Sequence, residues 1–212
     1  MSNQELLWQD AESGYDVLSS HAEALRSLFS ELDLTAVERV GDLLDQACQK
    51  GNTVYCVGNG GSAATALHIA ADLSWGRRMG NEKRPKAISL VANSPIITAL
   101  ANDVGYGEVF VEQLKGLFTQ GDVVVAISAS GNSENVLRAA EFANSRGGTS
   151  VGLVGFDGGK LKELSTHCIH VPTRPGAYEL VEDVHHAVCH MLASYLKYRA
   201  TRRTAGDIQG KA

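Results

Sequence analysis

The sequence predicts an α/β protein, a parallel sheet with helices on both faces, and three observations carry that prediction. Five short apolar runs lack the alternation of a half-exposed strand, as strands buried on both faces do. Stretches with helical spacing separate most of those runs, the pattern of parallel strands joined by crossover helices. Glycine is abundant at 22 residues and proline scarce at 4, which suits tight turns between uninterrupted helices. At 212 residues the chain is sized for one domain, with a core large enough to need no disulfide or metal staple.

The elements follow in order. Over residues 4–31, Leu6, Leu7, Tyr15, Val17, Leu18, Leu25, Leu28 and Phe29 recur at helical spacing in a polar background. A second helix is predicted over 35–49, with Val37, Val40, Leu43, Leu44 and Ala47 as its stripe. The first strand, 53–57, ends in a glycine-rich loop that opens a helix. Further strands are expected at 87–91, 122–127, 150–154 and 168–171, and a last long helix over 178–199. Residues 1–200 thus form one domain whose first 50 residues are two leading helices. These carry more apolar surface than a small sheet needs, which points to subunit contacts. The small, polar segment 201–212 reads as a flexible tail.

Composition excludes several function classes. A formal net charge of −5 argues against a nucleic-acid partner or a membrane-surface binder. No apolar run approaches the roughly 20 residues of a membrane helix, and the polar start MSNQELLWQDAES is unlike a targeting peptide. Cys48, Cys56, Cys168 and Cys189 form no C-x-x-C pair and read as free thiols in a reducing, cytoplasmic setting.

Two strand ends share one chemistry. Gly58-Asn59-Gly60-Gly61-Ser62 follows the first strand, and Ser128-Ala129-Ser130-Gly131-Asn132-Ser133 follows the third; both lead into helices. Glycines let the backbone approach an anion, helix-start N–H groups point at it, and hydroxyls add uncharged donors. Neither run has dinucleotide or P-loop spacing. A strand-to-helix turn with serine as cap explains either run alone, but two of them favour a phosphate pocket.

Beyond the first loop, His68 and Asp72 are spaced i, i+4 on one helix face, as an ion pair, a shared metal site or an acid/base pair would be. On the last helix Glu179, Asp183, His186 and His190 share a face, and Glu182 lies toward its edge. His185 and His186 read as part of a solvated amphipathic side.

The segments VGNGGSAATALHIAADL, LANDVGYGEVF, ISASGNSENV and GFDGGKL, with the His-bearing last helix, resemble the SIS (sugar isomerase) domain of the phosphoheptose isomerase family over nearly the whole chain. The resemblance implies a flavodoxin-like, three-layer fold with a five-stranded parallel sheet, and a homotetramer with active sites at subunit interfaces. It assigns the sugar phosphate to Ser62, Ser128, Ser130 and Ser133, with Asn59, Gly60, Gly61, Asp103 and Glu182 along the substrate pocket. Arg77, in the basic stretch 75–84, is the candidate for an arginine near the phosphate. His68 matches a zinc-binding histidine, Asp72 a glutamate base, Glu182 a glutamine zinc ligand and His190 the catalytic histidine. The implied metal set is therefore His68, Asp72, Glu182 and His190, around Zn2+ or another divalent ion. Ala129 stands where a threonine is usual, removing one hydroxyl.

The expected activity is an aldose–ketose isomerisation of sedoheptulose 7-phosphate to D-glycero-D-manno-heptose 7-phosphate, with Asp72 and His190 as the catalytic pair. Two alternatives come from the same resemblance. One is a non-catalytic regulator that binds a phosphosugar or a replication initiator; the other is an isomerase of a different sugar phosphate.

Overall fold

Side-chain hydroxyls and carboxylates set where the helices begin. The computed structural model describes residues 11–75 and 84–209, with side chains to residue 203. Ser13 caps the first helix, α1 (Gly14–Glu31), its hydroxyl accepting from the Asp16 amide at 3.2 Å. Residues 11–13 are not helical, so the helix starts well after residue 4; Leu6 and Leu7 lie outside the described residues. Asp33 caps α2 (Leu34–Lys50) by accepting from the Thr35 and Ala36 amides at 2.9 and 3.0 Å. Gly51, at φ +80°, closes that helix in the left-handed conformation.

The strands are β1 (Thr53–Gly58), β2 (Lys86–Ser89), β3 (Val123–Ser128), β4 (Thr149–Val154) and β5 (His167–His170). All neighbours pair in parallel, in the order β2-β1-β3-β4-β5, so the expected five-stranded α/β sheet is present. Between them run α3 (Gly60–Trp75), α4 (Ser94–Asp103), α5 (Val111–Leu117), α6 (Glu134–Ser145) and α7 (Gly159–Leu164), and α8 (Tyr178–Gln209) closes the chain. Chain order reverses between β1 and β3, which makes their carboxyl ends the switch point where ligands of such sheets collect.

Burial on both faces explains the unbroken apolar runs. Val54, Cys56, Val123, Val125, Ile127, Val151 and Leu153 pack toward α2, α3 and α8, with Ala24 and Leu28 of α1 in the same cluster. Tyr55, Val57, Val124, Ala126 and Val154 pack toward α5, α6 and α7. Asp122 ties the strand starts together, accepting from the Thr53 amide at 2.7 Å and the Thr119 amide at 2.8 Å.

The last helix does not end near Arg199. It runs on through the segment that reads as a flexible tail, to Gln209, because α2 offers carboxylates along its length. Arg199 pairs with Asp42, and Arg203 binds the buried Asp45 at 2.6 and 3.1 Å through two nitrogens. No helix among the described residues is long and apolar enough to cross a membrane.

Candidate active site

The two glycine- and serine-bearing loops meet over the β1/β3 switch point and enclose a cavity of about 290 Å³. Asn59, Gly60, Gly61 and Ser62 line one side, Ser128, Ala129, Ser130 and Ser133 the other, and Tyr178 and Glu182 of α8 complete it. The amino ends of α3 and α6 adjoin it, so unpaired N–H groups and both helix dipoles favour an anion there.

Local hydrogen bonds hold the hydroxyls in place. Ser128 Oγ accepts from the Gly131 amide at 3.1 Å and lies 3.3 Å from Ser133 Oγ. Ser130 Oγ accepts from the Asn132 amide at 3.3 Å. Ser133 stands at the N-cap of α6 yet makes no side-chain cap bond, which leaves its hydroxyl for another partner. Asn59 and Asn135 exchange two amide bonds of 2.8 and 2.9 Å, and the Tyr106 hydroxyl donates to Asn59 Oδ1 at 2.8 Å.

A second group of side chains lies along α3, where it packs on α8. His68 Nε2 is 2.7 Å from His190 Nε2 and 3.2 Å from Asp72 Oδ2, and His190 Nε2 is 3.8 Å from the same oxygen. His186 joins them: its ring centroid is 4.0 Å from that of His68 and 5.3 Å from that of His190. His68, His186 and His190 can each direct one nitrogen to within 4.8 Å of the others. Burial first, then the neighbouring imidazoles of His68 and His190, hold His186 below its ordinary pKa.

Several expected positions move. His186 and His185 do not form a solvated side: His186 enters this cluster, and His185 is fully buried, its pKa driven down to about 4 by desolvation. The 3.6-residue spacing did group His186 with His190, but which neighbour that face meets is a tertiary fact. Glu182 is not part of the histidine group. Its carboxyl lies in the cavity against Gly61, where an added Cβ would overlap all three carboxyl atoms. Burial, then Glu179 and Asp183, raises the Glu182 pKa. Asp183 faces His21 of α1 instead, at 3.0 Å. Asp103 is exposed at the end of α4, is bonded by its neighbour Asn102, and is not among the residues that line the cavity. Arg77 lies outside the described residues. Tyr178 joins the wall as well, and a lone tyrosine at a helix start carries no sequence signal for that role.

The geometry therefore offers an anion cradle of neutral donors and, one helix further along, an imidazole–carboxylate cluster. Among known proteins, the SIS domain family matches residues 19–155. The phosphoheptose isomerase of Akkermansia muciniphila is 38% identical over 161 residues, 76% of this chain and 84% of that one. That of Helicobacter pylori is 38% identical over 178 residues, 84% and 91% of the two chains. A solved phosphoheptose isomerase from Neisseria gonorrhoeae superposes with a TM-score of 0.76 at 29% identity, covering 85% of this chain and 95% of that one. One from Francisella tularensis gives 0.77 at 25% identity, with 87% and 96% covered. With the fold, the cradle and these likenesses in agreement, the chain belongs to the phosphoheptose isomerase family of SIS-domain proteins.

Proposed function

We propose that this chain interconverts sedoheptulose 7-phosphate and D-glycero-D-manno-heptose 7-phosphate, the aldose–ketose step that its relatives' names imply. One observation carries the reading: α3 bears both halves of the chemistry. Ser62 opens the helix in the anion cradle, and His68 and Asp72 follow six and ten residues later. At 1.5 Å per residue they stand roughly 9 and 15 Å along the axis, a span suited to an extended sugar chain with its phosphate at the far end.

The serine hydroxyls and helix-start amides bind the phosphate and so position the distant carbonyl, which puts remote binding energy to work at the reacting end. Asp72 takes the proton from the carbon next to the carbonyl and returns it to the other of C1 and C2. His190 serves the oxygen, moving its proton between the two positions. The clustered nitrogen and carboxylate donors fit a divalent cation such as zinc, which when bound polarises that oxygen.

We read the assembly as a homotetramer with sites at subunit interfaces. Exposed Tyr15 and Leu18 on α1, and exposed Leu67 beside His68, support an apolar covering by a second copy. Free Cys48, Cys56, Cys168 and Cys189 support a reducing, cytoplasmic setting.

The test is turnover of sedoheptulose 7-phosphate by the wild type and by Asp72→Asn. The variant should lose at least about 100-fold in kcat while still binding substrate, read as a ligand-induced rise in melting temperature. An Asp72→Asn protein with near-wild-type turnover would rule the mechanism out.

A further inference from the structure

The residue aligned with the family's glutamine ligand, Glu182, is occupied elsewhere. Its carboxyl covers Gly61 inside the anion cavity, where it lies among Ser62, Ser128 and Ser133. The next carboxylate on the same helix, Asp183, is paired with His21 at 3.0 Å. Neither α8 carboxylate stands with the imidazoles, yet α8 still presents two donors to α3. They are His186 and His190, one turn apart on one face, and with His68 they bring three ring nitrogens within 4.8 Å of one another. Two histidines at i, i+4 on one helix and a third from a neighbouring helix form a compact nitrogen triad that leaves a position open for substrate.

We propose that His186 supplies the third nitrogen of a three-histidine divalent-cation site with His68 and His190, in place of Glu182. The inference rests on the metal-assisted reading above. It also changes the chemistry expected of the site. Three neutral imidazoles leave a bound cation its full double charge, whereas a Glu182 ligand would cancel part of it. Asp72 Oδ2 stands beside the triad, 3.2 Å from His68 Nε2 and 3.8 Å from His190 Nε2, and the proposal keeps that carboxylate as the proton carrier.

The experiment is zinc binding by the chelator-stripped full-length protein, measured by competition with a chromophoric chelator, for the wild type, His186→Ala and Glu182→Gln. His186→Ala should weaken zinc by more than about 100-fold, beyond what loss of an outer-shell partner costs. Glu182→Gln should stay within about threefold of the wild type on the same scale. X-ray absorption on the zinc-loaded wild type gives the imidazole count without any substitution, so a poorly folded His186→Ala protein leaves the question decidable; three imidazoles are expected. Two imidazoles plus an oxygen donor, or a zinc loss that follows Glu182→Gln and spares His186→Ala, would overturn the proposal, as would a wild type that binds no zinc. Turnover of sedoheptulose 7-phosphate by the zinc-loaded wild type is scored separately. A three-imidazole site without turnover sinks the isomerase reading and keeps this one; turnover with a two-imidazole site does the reverse.

Discussion

Gly131→Ala tests whether the serine loop works as a rigid cradle. Gly131 sits at φ +64°, donates its amide to Ser128 Oγ and accepts from the Leu161 amide at 2.9 Å. The loop is therefore locked to the turn that opens α7. A Cβ at this position would overlap the Gly158 carbonyl oxygen and lie 2.6 Å from its carbonyl carbon, where ordinary contact begins at 3.4 Å. Clearing the oxygen, the nearer of the two atoms, requires the two backbones to part by about 1.5 Å. The left-handed conformation costs an L-residue roughly 1–2 kcal/mol, and the forced separation brings the total to about 2–3 kcal/mol. For a chain of this size that lowers the melting temperature by about 4–12 °C.

The larger effect falls on catalysis. The displaced segment carries Ser128, Ser130 and Ser133, and a misplacement near 1 Å at such a site costs on the order of 100-fold in rate. The assay is kcat/KM for sedoheptulose 7-phosphate, followed by NMR of the aldose product, beside a thermal melt. Gly116→Ala is the matched control: it lies on α5, and its Cβ would meet nothing within 4 Å. It should stabilise the protein by roughly 0.5–1 kcal/mol and leave kcat/KM untouched. A Gly131→Ala protein with the control's kinetics and melting temperature would refute the rigid-cradle argument.

Three more outcomes are expected. Sulfate, which keeps its charge across the range, should bind more tightly as pH falls through the raised pKa of Glu182, because protonation removes a negative charge from the cavity; Glu182→Gln should bind sulfate several-fold more tightly at neutral pH and flatten that dependence in an isothermal titration, at about 1 kcal/mol for a partly exposed charge. Arg203→Ala removes the two-nitrogen ion pair from the buried Asp45 and should cost about 2–3 kcal/mol, a fall of about 4–12 °C in a calorimetric scan. Prolonged chelation should abolish turnover, and added zinc should restore it without a change in far-ultraviolet circular dichroism, since the core stands without the metal.

The strands and most helices were legible because burial on both faces leaves unbroken apolar runs, and α2 because its stripe and the Asp33 cap agree. The cradle was legible because glycine and serine at a strand end have few other uses. What remained hidden depends on which surfaces meet. The continuation of α8 past Arg199 needs Asp42 and Asp45 of α2, more than 150 positions away in the chain. Asp103 carries no local sign of whether its exposed helix end joins the cavity lining.

Under the three-histidine proposal, Glu182 and His186 show how alignment by position can misassign a ligand within a recognised family. They are one turn apart on α8, so both face α3, but α3 presents different chemistry at the two levels. Opposite Glu182 it presents Gly61, whose missing side chain makes room for a carboxyl group. Opposite His186 it presents His68, another imidazole with a lone pair. A carboxylate beside a phosphate cradle opposes anion binding until it is protonated, while a third imidazole beside two others adds a nitrogen donor for a shared cation. The same helix register thus separates two levels: the upper turn sets a carboxyl group in the anion cavity, and the lower turn gathers the nitrogen donors beside Asp72, the proposed proton carrier.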